Sequence, residues 1–425
     1  MSLLLPTLAE AIGLGGVGRA LGDRNYRIYV LGNLFSVVGS WVQRVAVGWL
    51  TWELTESGVW LGVIAFADLL PTVVIGPFAG AFADRFDRLR LLMIAQSLAF
   101  LQALLLCGLT AMGWITIELL LGLTLYLGLV LGFSQPVRLA LIPSLVRREN
   151  LSAAIAFNSI LFNGARFVGP ALAGVVIVWG GVAPAFAINA LTFVALLLAL
   201  SRVRVETPTV VGLHPGGILA GIAEGLGYAL RHPGIAPALL LLAATALLAR
   251  PFAELLPGFA ADVFDRGVDG LAWLTSATGL GAMAGGMWLA GRRTVAGLTR
   301  AMVAHIGVLV VALLVFSATR NFGVAVAALI AAGFAMVVCA VGIQTLMQVA
   351  VDGAMRGRVL SLYGLVLRVG MALGALMMGL ASAGFGLRLP VAVGAALCAI
   401  AGLWAVRRLG RLTAALESDA ATPSG

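Results

Sequence analysis

Apolar runs of membrane length, separated by short polar turns, organise the chain from about residue 28 to residue 406. A bilayer-crossing helix needs about 20 mostly apolar residues. Twelve segments meet that length: about 28–52, 57–82, 91–112, 115–140, 152–179, 182–200, 236–261, 270–290, 301–318, 322–349, 359–384 and 389–406. The longest polar interruption, 201–235, holds Pro208, Pro215, Pro233 and an amphipathic stretch from Gly216 to Arg231, and it separates six spans from six. The pattern predicts an all-α membrane protein with twelve transmembrane helices in two pseudo-symmetric six-helix bundles. The expected divisions are an N-terminal arm (1–24), a first half (25–201), a linker (202–235), a second half (236–410) and a disordered tail (411–425).

A weak internal repeat supports the division. Phe157 through Gly174 aligns without gaps to Leu362 through Gly379, an offset of 205 that sets Gly169 opposite Gly374 and Gly174 opposite Gly379. Parallel repeats of this kind imply a central cavity at their interface. Composition agrees: 61% of residues are hydrophobic and 11% charged, against about 25% charged in an ordinary soluble domain. The 54 glycines suit helices that approach closely in lipid. Residues 1–24 contain Glu10 and Asp23 and lack the compact apolar core of a signal peptide.

Every basic residue is an arginine, and their placement predicts orientation. Twenty of the 27 lie in the arm, the even-to-odd turns, the helix ends beside them and the tail. The opposite turns hold only Arg266, Arg320 and Arg388, so both termini are expected in the cytoplasm. The net charge of +9 is then a topology signal and gives no reason to expect nucleic-acid binding. Cys107, Cys339 and Cys398 lie in apolar segments without metal spacing, and His214, His232 and His305 have no ligand-like company. No nucleophile–base pair, metal cluster, cofactor motif or phosphate loop suggests an enzyme.

The densest polar turn is Gly80-x-x-Ala83-Asp84-Arg85-x-x-Arg88, between the second and third spans. It resembles the corresponding loop of the major facilitator superfamily, with Asp87 where a glycine is common. Trp41-Val-Gln43-Arg44 with Trp49-Leu50 in the first span, Pro136-Val-Arg138 ending the fourth, Asn163-Gly-Ala-Arg166-Phe-Val-Gly169-Pro170 in the fifth and Arg356-Gly-Arg358-Val before the eleventh resemble the branch that includes enterobactin and macrolide exporters. The resemblance covers about residues 22–410. It implies the major facilitator fold and a secondary transporter of a small molecule in a bacterial inner membrane. It also implies that Gly80, Asp84, Arg85 and Arg88 form a conformational gate and that Gly169 and Pro170 kink the fifth helix. The second half has Ala290 and Gly291 near the Asp84 and Arg85 equivalents, so the gate is expected on one side only.

Charges within spans are costly and usually face a cavity or a partner. Arg44, Asp68, Arg166, Arg250, Glu254 and Arg368 are such charges, and Gln43, Asn163, Gln344 and Gln348 are uncharged polar candidates for the same cavity; Asn158 and Trp41 are further candidates. Arg250 and Glu254, four apart, are expected to pair along one helix face. Arg44 and Asp68 lie at similar depth and are expected to meet. Four arginines against two acids favour a substrate with an anionic or acceptor-rich part, and the two carboxylates are candidates for proton coupling. The expected activity is proton-coupled export by a monomer that binds its substrate, protons and the bilayer, with import or facilitated diffusion of an anionic metabolite as the alternative and a non-transporting scaffold a third reading. If the gate reading holds, Asp84→Asn impairs transport while insertion stays intact; quantified membrane protein beside transport rate checks this, and normal transport by inserted mutant rejects it.

Overall fold

The computed structural model describes residues 15–83, 86–205, 217–292 and 294–417, and side chains are described for most of these. The described residues are helical, with no strand. We number the long helices α1 (Arg24–Thr55), α2 (Gly58–Ala83), α3 (Arg88–Ala111), α4 (Ile117–Leu141), α5 (Leu151–Gly180), α6 (Val182–Leu200), α7 (Ile235–Val263), α8 (Val268–Ala290), α9 (Leu298–Ala318), α10 (Phe322–Ala350), α11 (Arg356–Phe385) and α12 (Arg388–Arg407). Eleven are long and apolar enough to cross a membrane; the remaining one, α8, is 23 residues diluted by glycine, serine and threonine. Short helices occupy the arm (Gly15–Gly22), the linker (Gly217–Arg231) and the tail (Leu409–Glu417).

The helices start where side chains can satisfy their first backbone donors. Asp87 caps α3, accepting from the backbone of Leu89 at 2.9 Å and Arg90 at 3.2 Å. That is a physical reason for an aspartate where the resemblance led one to expect glycine. Thr116 and Asn321 cap α4 and α10 in the same way.

The chain forms two compact units. One comprises residues 1–50 and 71–213; the other comprises 51–70 and 214–425. In the first unit, Val17 and Leu21 of the arm helix, Tyr26 and Tyr29 of α1, Leu92, Leu141, Ala154, Leu196 and Leu200 form one buried cluster. Ala95, Ala99 and Ala103, one turn apart on α3, make a thin seam against Ala190 and Phe193 of α6. The arm is held by Asp23, whose carboxylate accepts from the Arg147 backbone and the Asn150 amide.

The second unit packs backbone on backbone. Gly281 of α8 lies against the Ile330 carbonyl of α10, and Gly333 of α10 lies against the Thr278 carbonyl of α8. Gly370 and Gly374 of α11 and Gly394 of α12 press on Ala246, Leu247 and Leu248 of α7. A Cβ at any of these positions would overlap the neighbouring helix, so glycine sets the spacing. The halves expected at 25–201 and 236–410 differ from these units in one respect. Residues 51–70, the end of α1 and the start of α2, belong to the second unit, because Gly58 meets Ser382 and Gly62 meets Ala375 and Gly379 of α11.

The tail corrects a second expectation. Residues 411–417, expected to be disordered, belong to the helix Leu409–Glu417, with Leu412 and Leu416 buried. Leu416 fits against Gly234, and the Glu417 carboxylate accepts from the backbone of Gly297 and Thr299, each at 2.8 Å, at the start of α9. Two apolar residues one turn apart among arginines are a weak sequence signal; their contacts with α7 and α9 order them. Replacing Glu417 by alanine removes a charged cap worth about 1 kcal/mol, so the melting temperature in detergent should fall; no change would show that the cap does not hold the tail.

Candidate functional site

In the first unit, α1 and α5 present matching stripes. Asn158, Phe162 and Arg166 follow one another at one-turn intervals on α5, and Asn33, Trp41 and Arg44 lie along α1. The Trp41 indole is the meeting point. The Arg44 guanidinium carbon is 5.9 Å and that of Arg166 5.8 Å from its ring centre, and the Phe162 ring approaches edge-on at 6.1 Å. A guanidinium on an indole contributes about 0.5–2 kcal/mol. Gly169 brings the helices this close, since a side chain there would strike the Trp41 Cβ. Helix α5 is continuous through Pro170, and the missing proline N–H leaves the Arg166 carbonyl without its helical donor. Phe162 is exposed and both arginines are half-buried, so the cluster reaches an open face.

Gln43 departs from expectation. It is 3% exposed and points away from this face. Its amide donates to Gln102 Oε1 at 3.0 Å and accepts from Asn189 at 2.7 Å, while Gln102 donates on to the Leu123 carbonyl. Gln43 therefore ties α1, α3 and α6 together rather than lining a cavity. The helical wheel contained the signal, since Gln43 is about 160° from Trp41 at 100° per residue. Asn163 donates to Ser159 O on its own helix at 2.8 Å.

Arg138 is a contributor that the sequence reading counted for orientation and quoted in a family motif, without placing it in the cavity. It donates to Asn33 Oδ1 at 2.9 Å, and Asn33 donates to Asn158 Oδ1 at 3.3 Å, a chain joining α4, α1 and α5. Of the expected gate, Arg88 donates to the Ala140 carbonyl at 3.2 Å, joining the start of α3 to the end of α4. Asp84 and Arg85 lie outside the described residues, as do the surroundings of Gly80.

In the second unit, α7 is broken. A π turn at Thr245–Ala249 leads into a 3₁₀ segment, Arg250–Leu255, then one α turn and a second π turn at Phe259–Val263. Pro251 and Pro257 withhold backbone donors there, and such irregular turns often mark functional positions. The break corrects the expected Arg250–Glu254 pair: in a 3₁₀ segment residues four apart no longer share a face. Arg250 instead donates to the Met336 carbonyl of α10 at 3.1 Å. One turn along α10, the Ala340 carbonyl accepts from the Tyr363 hydroxyl of α11 at 3.0 Å. The next two turns carry Gln344, half-buried, and Gln348, exposed. Arg368 of α11 is also exposed, about 18 Å along its helix at 1.5 Å per residue. An arginine at that depth is costly to leave in hydrocarbon. Arg44 and Asp68 fall in different units; Asp68 and Glu254 are half-buried.

The described residues are helical, eleven of their helices are apolar enough to cross a membrane, and half-buried arginines lie on the broken and the proline-bearing helix, the make-up of a polytopic membrane protein with polar groups inside its spans. Solved structures agree on the fold. A bacterial homologue of the human lysosomal transporter Spinster superposes with a TM-score of 0.73 at 14% identity, covering 95% of this chain and all of that one. A bacterial homologue of the iron transporter ferroportin gives 0.69 at 17% identity, with 90% and 98% covered. The profile of the transmembrane secretion effector family matches residues 20–424, so the chain belongs to that family of the major facilitator superfamily. It is 32% identical over 165 residues to the staphyloferrin A transporter of Staphylococcus aureus, covering 38% of this chain and 42% of that one. It is 26% identical over 238 residues to the enterobactin exporter of Escherichia coli, 56% and 54% covered, and 26% over 260 residues to the multidrug efflux pump Tap of Mycolicibacterium fortuitum, 59% and 62% covered. The chain spans about half the length of the curated relatives it matches. It is thus a multi-pass membrane protein of a transporter family, and neither that family nor these relatives are enzymes.

Gly169→Val should destabilise the first unit by about 1–3 kcal/mol through overpacking against Trp41, whereas Gly164→Val, with open space around it, should not. Thermal unfolding of the two variants in detergent checks this; equal behaviour would mean that α5 does not rest on Trp41.

Proposed function

We propose that the protein is a proton-coupled exporter of a small organic molecule carrying carboxylates or other strong acceptors, siderophore-like in chemistry, working by alternating access in a bacterial inner membrane with both termini in the cytoplasm. The observation that carries the reading is the pair of guanidiniums within 6 Å of the Trp41 ring centre. Guanidinium recognises carboxylate by paired, charge-assisted hydrogen bonds, and the neighbouring Trp41 and Phe162 rings add apolar surface for an aromatic or aliphatic body. Arg368, Gln344 and Gln348 supply donors on the second unit. In this reading Arg44 and Arg166 of the first unit bind substrate, Arg368 offers a donor of its own on the second, Arg250 holds α7 to α10, and Asp68 and Glu254 carry the proton. Gly80, Asp84, Arg85 and Arg88 gate the inner end.

Two of the relatives are an enterobactin exporter and a multidrug efflux pump, which supports export. The staphyloferrin relative is named only as a transporter, and import of an anionic metabolite is the alternative. Direction and coupling are tested together in everted membrane vesicles with a citrate-based hydroxycarboxylate siderophore as probe. The expected result is accumulation driven by an imposed proton gradient and abolished by an uncoupler. Arg166→Gln and Arg368→Gln should each raise KM by about tenfold or more, the loss of one charged hydrogen bond. Accumulation only in right-side-out vesicles would favour import, and uphill transport retained in both Asp68→Asn and Glu254→Gln would reject the proton assignment.

A further inference from the structure

A groove of about 530 Å³ runs along the seam between α9 and α10 in the second unit. Gly307, Val311 and Val315 of α9 and Val324, Ala327 and Ala331 of α10 line it, and all but Ala331 are exposed. No residue lining it is polar, and from Gly307 to Val315 it extends about 12 Å at 1.5 Å per residue. Both walls end at one turn, residues 319–321, with Arg320 exposed at its centre. Hydrogen bonds fix this turn: Thr319 Oγ1 accepts from the Asn321 N–H at 3.0 Å, and Asn321 Oδ1 accepts from that of Val324 at 3.1 Å. Arg388, which opens α12, donates to the Ala318 carbonyl at 3.2 Å and to the Thr319 carbonyl at 3.0 Å, the latter belonging to the amide that joins Thr319 to Arg320. The Arg266 guanidinium carbon lies 4.4 Å from the ring centre of Phe322, two residues past Arg320. Three arginines from three separate turns thus gather at one end of the groove. Among the described residues none of them pairs with a carboxylate. Asp265 and Asp269 stand beside Arg266 in sequence, but α9, α10, α11 and α12 contain no acid at all, which leaves the charges of Arg320 and Arg388 uncompensated.

An apolar groove on two membrane spans with cations at one end is complementary to an amphiphile with an anionic head. Arginines beside a span attract anionic lipid headgroups, and the guanidinium fork matches two oxygens of a phosphate. Arg388 uses two of its five donors on the turn and keeps three. The N-terminus of α10 begins at the same turn and favours the same sign of ligand charge. A free phosphate would satisfy the arginines and leave the groove unfilled. An apolar helix of a second copy would fill the groove and leave the arginines unanswered. The geometry points to one anionic phospholipid, an acyl chain lying in the α9–α10 groove and its phosphate on Arg320 and Arg388. The site lies on the second unit alone, at the end of α9 opposite the one that the tail helix caps, and it is independent of what the protein transports.

Native mass spectrometry of the purified full-length protein, titrated with phosphatidylglycerol or with phosphatidylcholine of the same chains, reads lipid binding and oligomeric state together. One phosphatidylglycerol should be retained at least about tenfold more tightly than phosphatidylcholine, since each arginine near an anionic headgroup contributes about fivefold. Arg320→Gln should lower that preference by about fivefold and leave phosphatidylcholine binding as it was. Ala327→Trp fills the groove from an exposed position and should remove the retained lipid whatever its headgroup. Glycerophosphoglycerol, the headgroup without chains, and inorganic phosphate should not bind. Equal retention of the two lipids, or an undiminished preference in Arg320→Gln, would mean ordinary solvation by lipid and would overturn the inference. Undiminished retention in Ala327→Trp would put the lipid elsewhere and overturn it equally. Binding of the chain-free headgroup or of phosphate would make this an anion site without a lipid. A dimer that Ala327→Trp dissociates, with no lipid adduct on the wild type, would seat a second copy in the groove. Either result would also overturn it.

Discussion

Contact between backbones at glycine is the interaction on which the rest of this structure depends. Lipid is as apolar as leucine, so a membrane helix gains little by burying apolar side chains against a neighbour. It gains from close van der Waals contact, and that requires removing side chains at the contact point. Gly281 under the Ile330 carbonyl, Gly333 under that of Thr278, Gly374 under that of Leu247 and Gly169 on Trp41 are such points. They set the helix spacing, and through it the placement of every charged group. Arg166 lies three residues before Gly169, and Arg250 follows the two carbonyls that Gly374 and Gly394 touch.

Against that scaffold, the candidate polar groups meet different local surroundings. Gln43 completes an amide network of four helices' worth of donors and acceptors. Arg250 finds a backbone carbonyl. Arg44 and Arg166 share an indole. Arg368, Gln344 and Gln348 remain at an open face. A group tied into packing holds the fold, and a donor left at an open face is available to a solute. On the proposed reading, that difference separates the structural members of the candidate set from the binding ones.

Much of the fold was legible from the sequence, because membrane helices must satisfy their own backbone bonds and therefore announce themselves by length. All twelve long helices fall where apolar runs predicted them, and the intramembrane arginines were visible as exceptions. What stayed hidden depended on rotation and on irregular turns. The span pattern does not say which way Gln43 points, that Arg138 serves the interior as well as the surface, or that Arg250 turns from Glu254 to Met336. The tail helix was missed because its two anchoring leucines are too few to register as periodicity. The attachment of residues 51–70 to the second unit depends on Gly58 and Gly62 meeting α11, a pairing that no local pattern encodes.

The π turn at Thr245–Ala249 has a consequence for ancestry. A π turn accommodates one residue more than an α turn, and such bulges enter helices as single-residue insertions. The repeat joins α5 to α11 at an offset of 205, whereas Arg44 and Arg250 are 206 apart. If Arg44 and Arg250 are counterparts, one extra residue in α7 matches the difference between the two offsets. A duplicated helix that gained one residue would have kept its arginine at the old depth by bulging the turn before it. The irregularity would then be the scar of an insertion, tolerated because the alternative was to rotate a buried charge by 100° into the wrong surroundings.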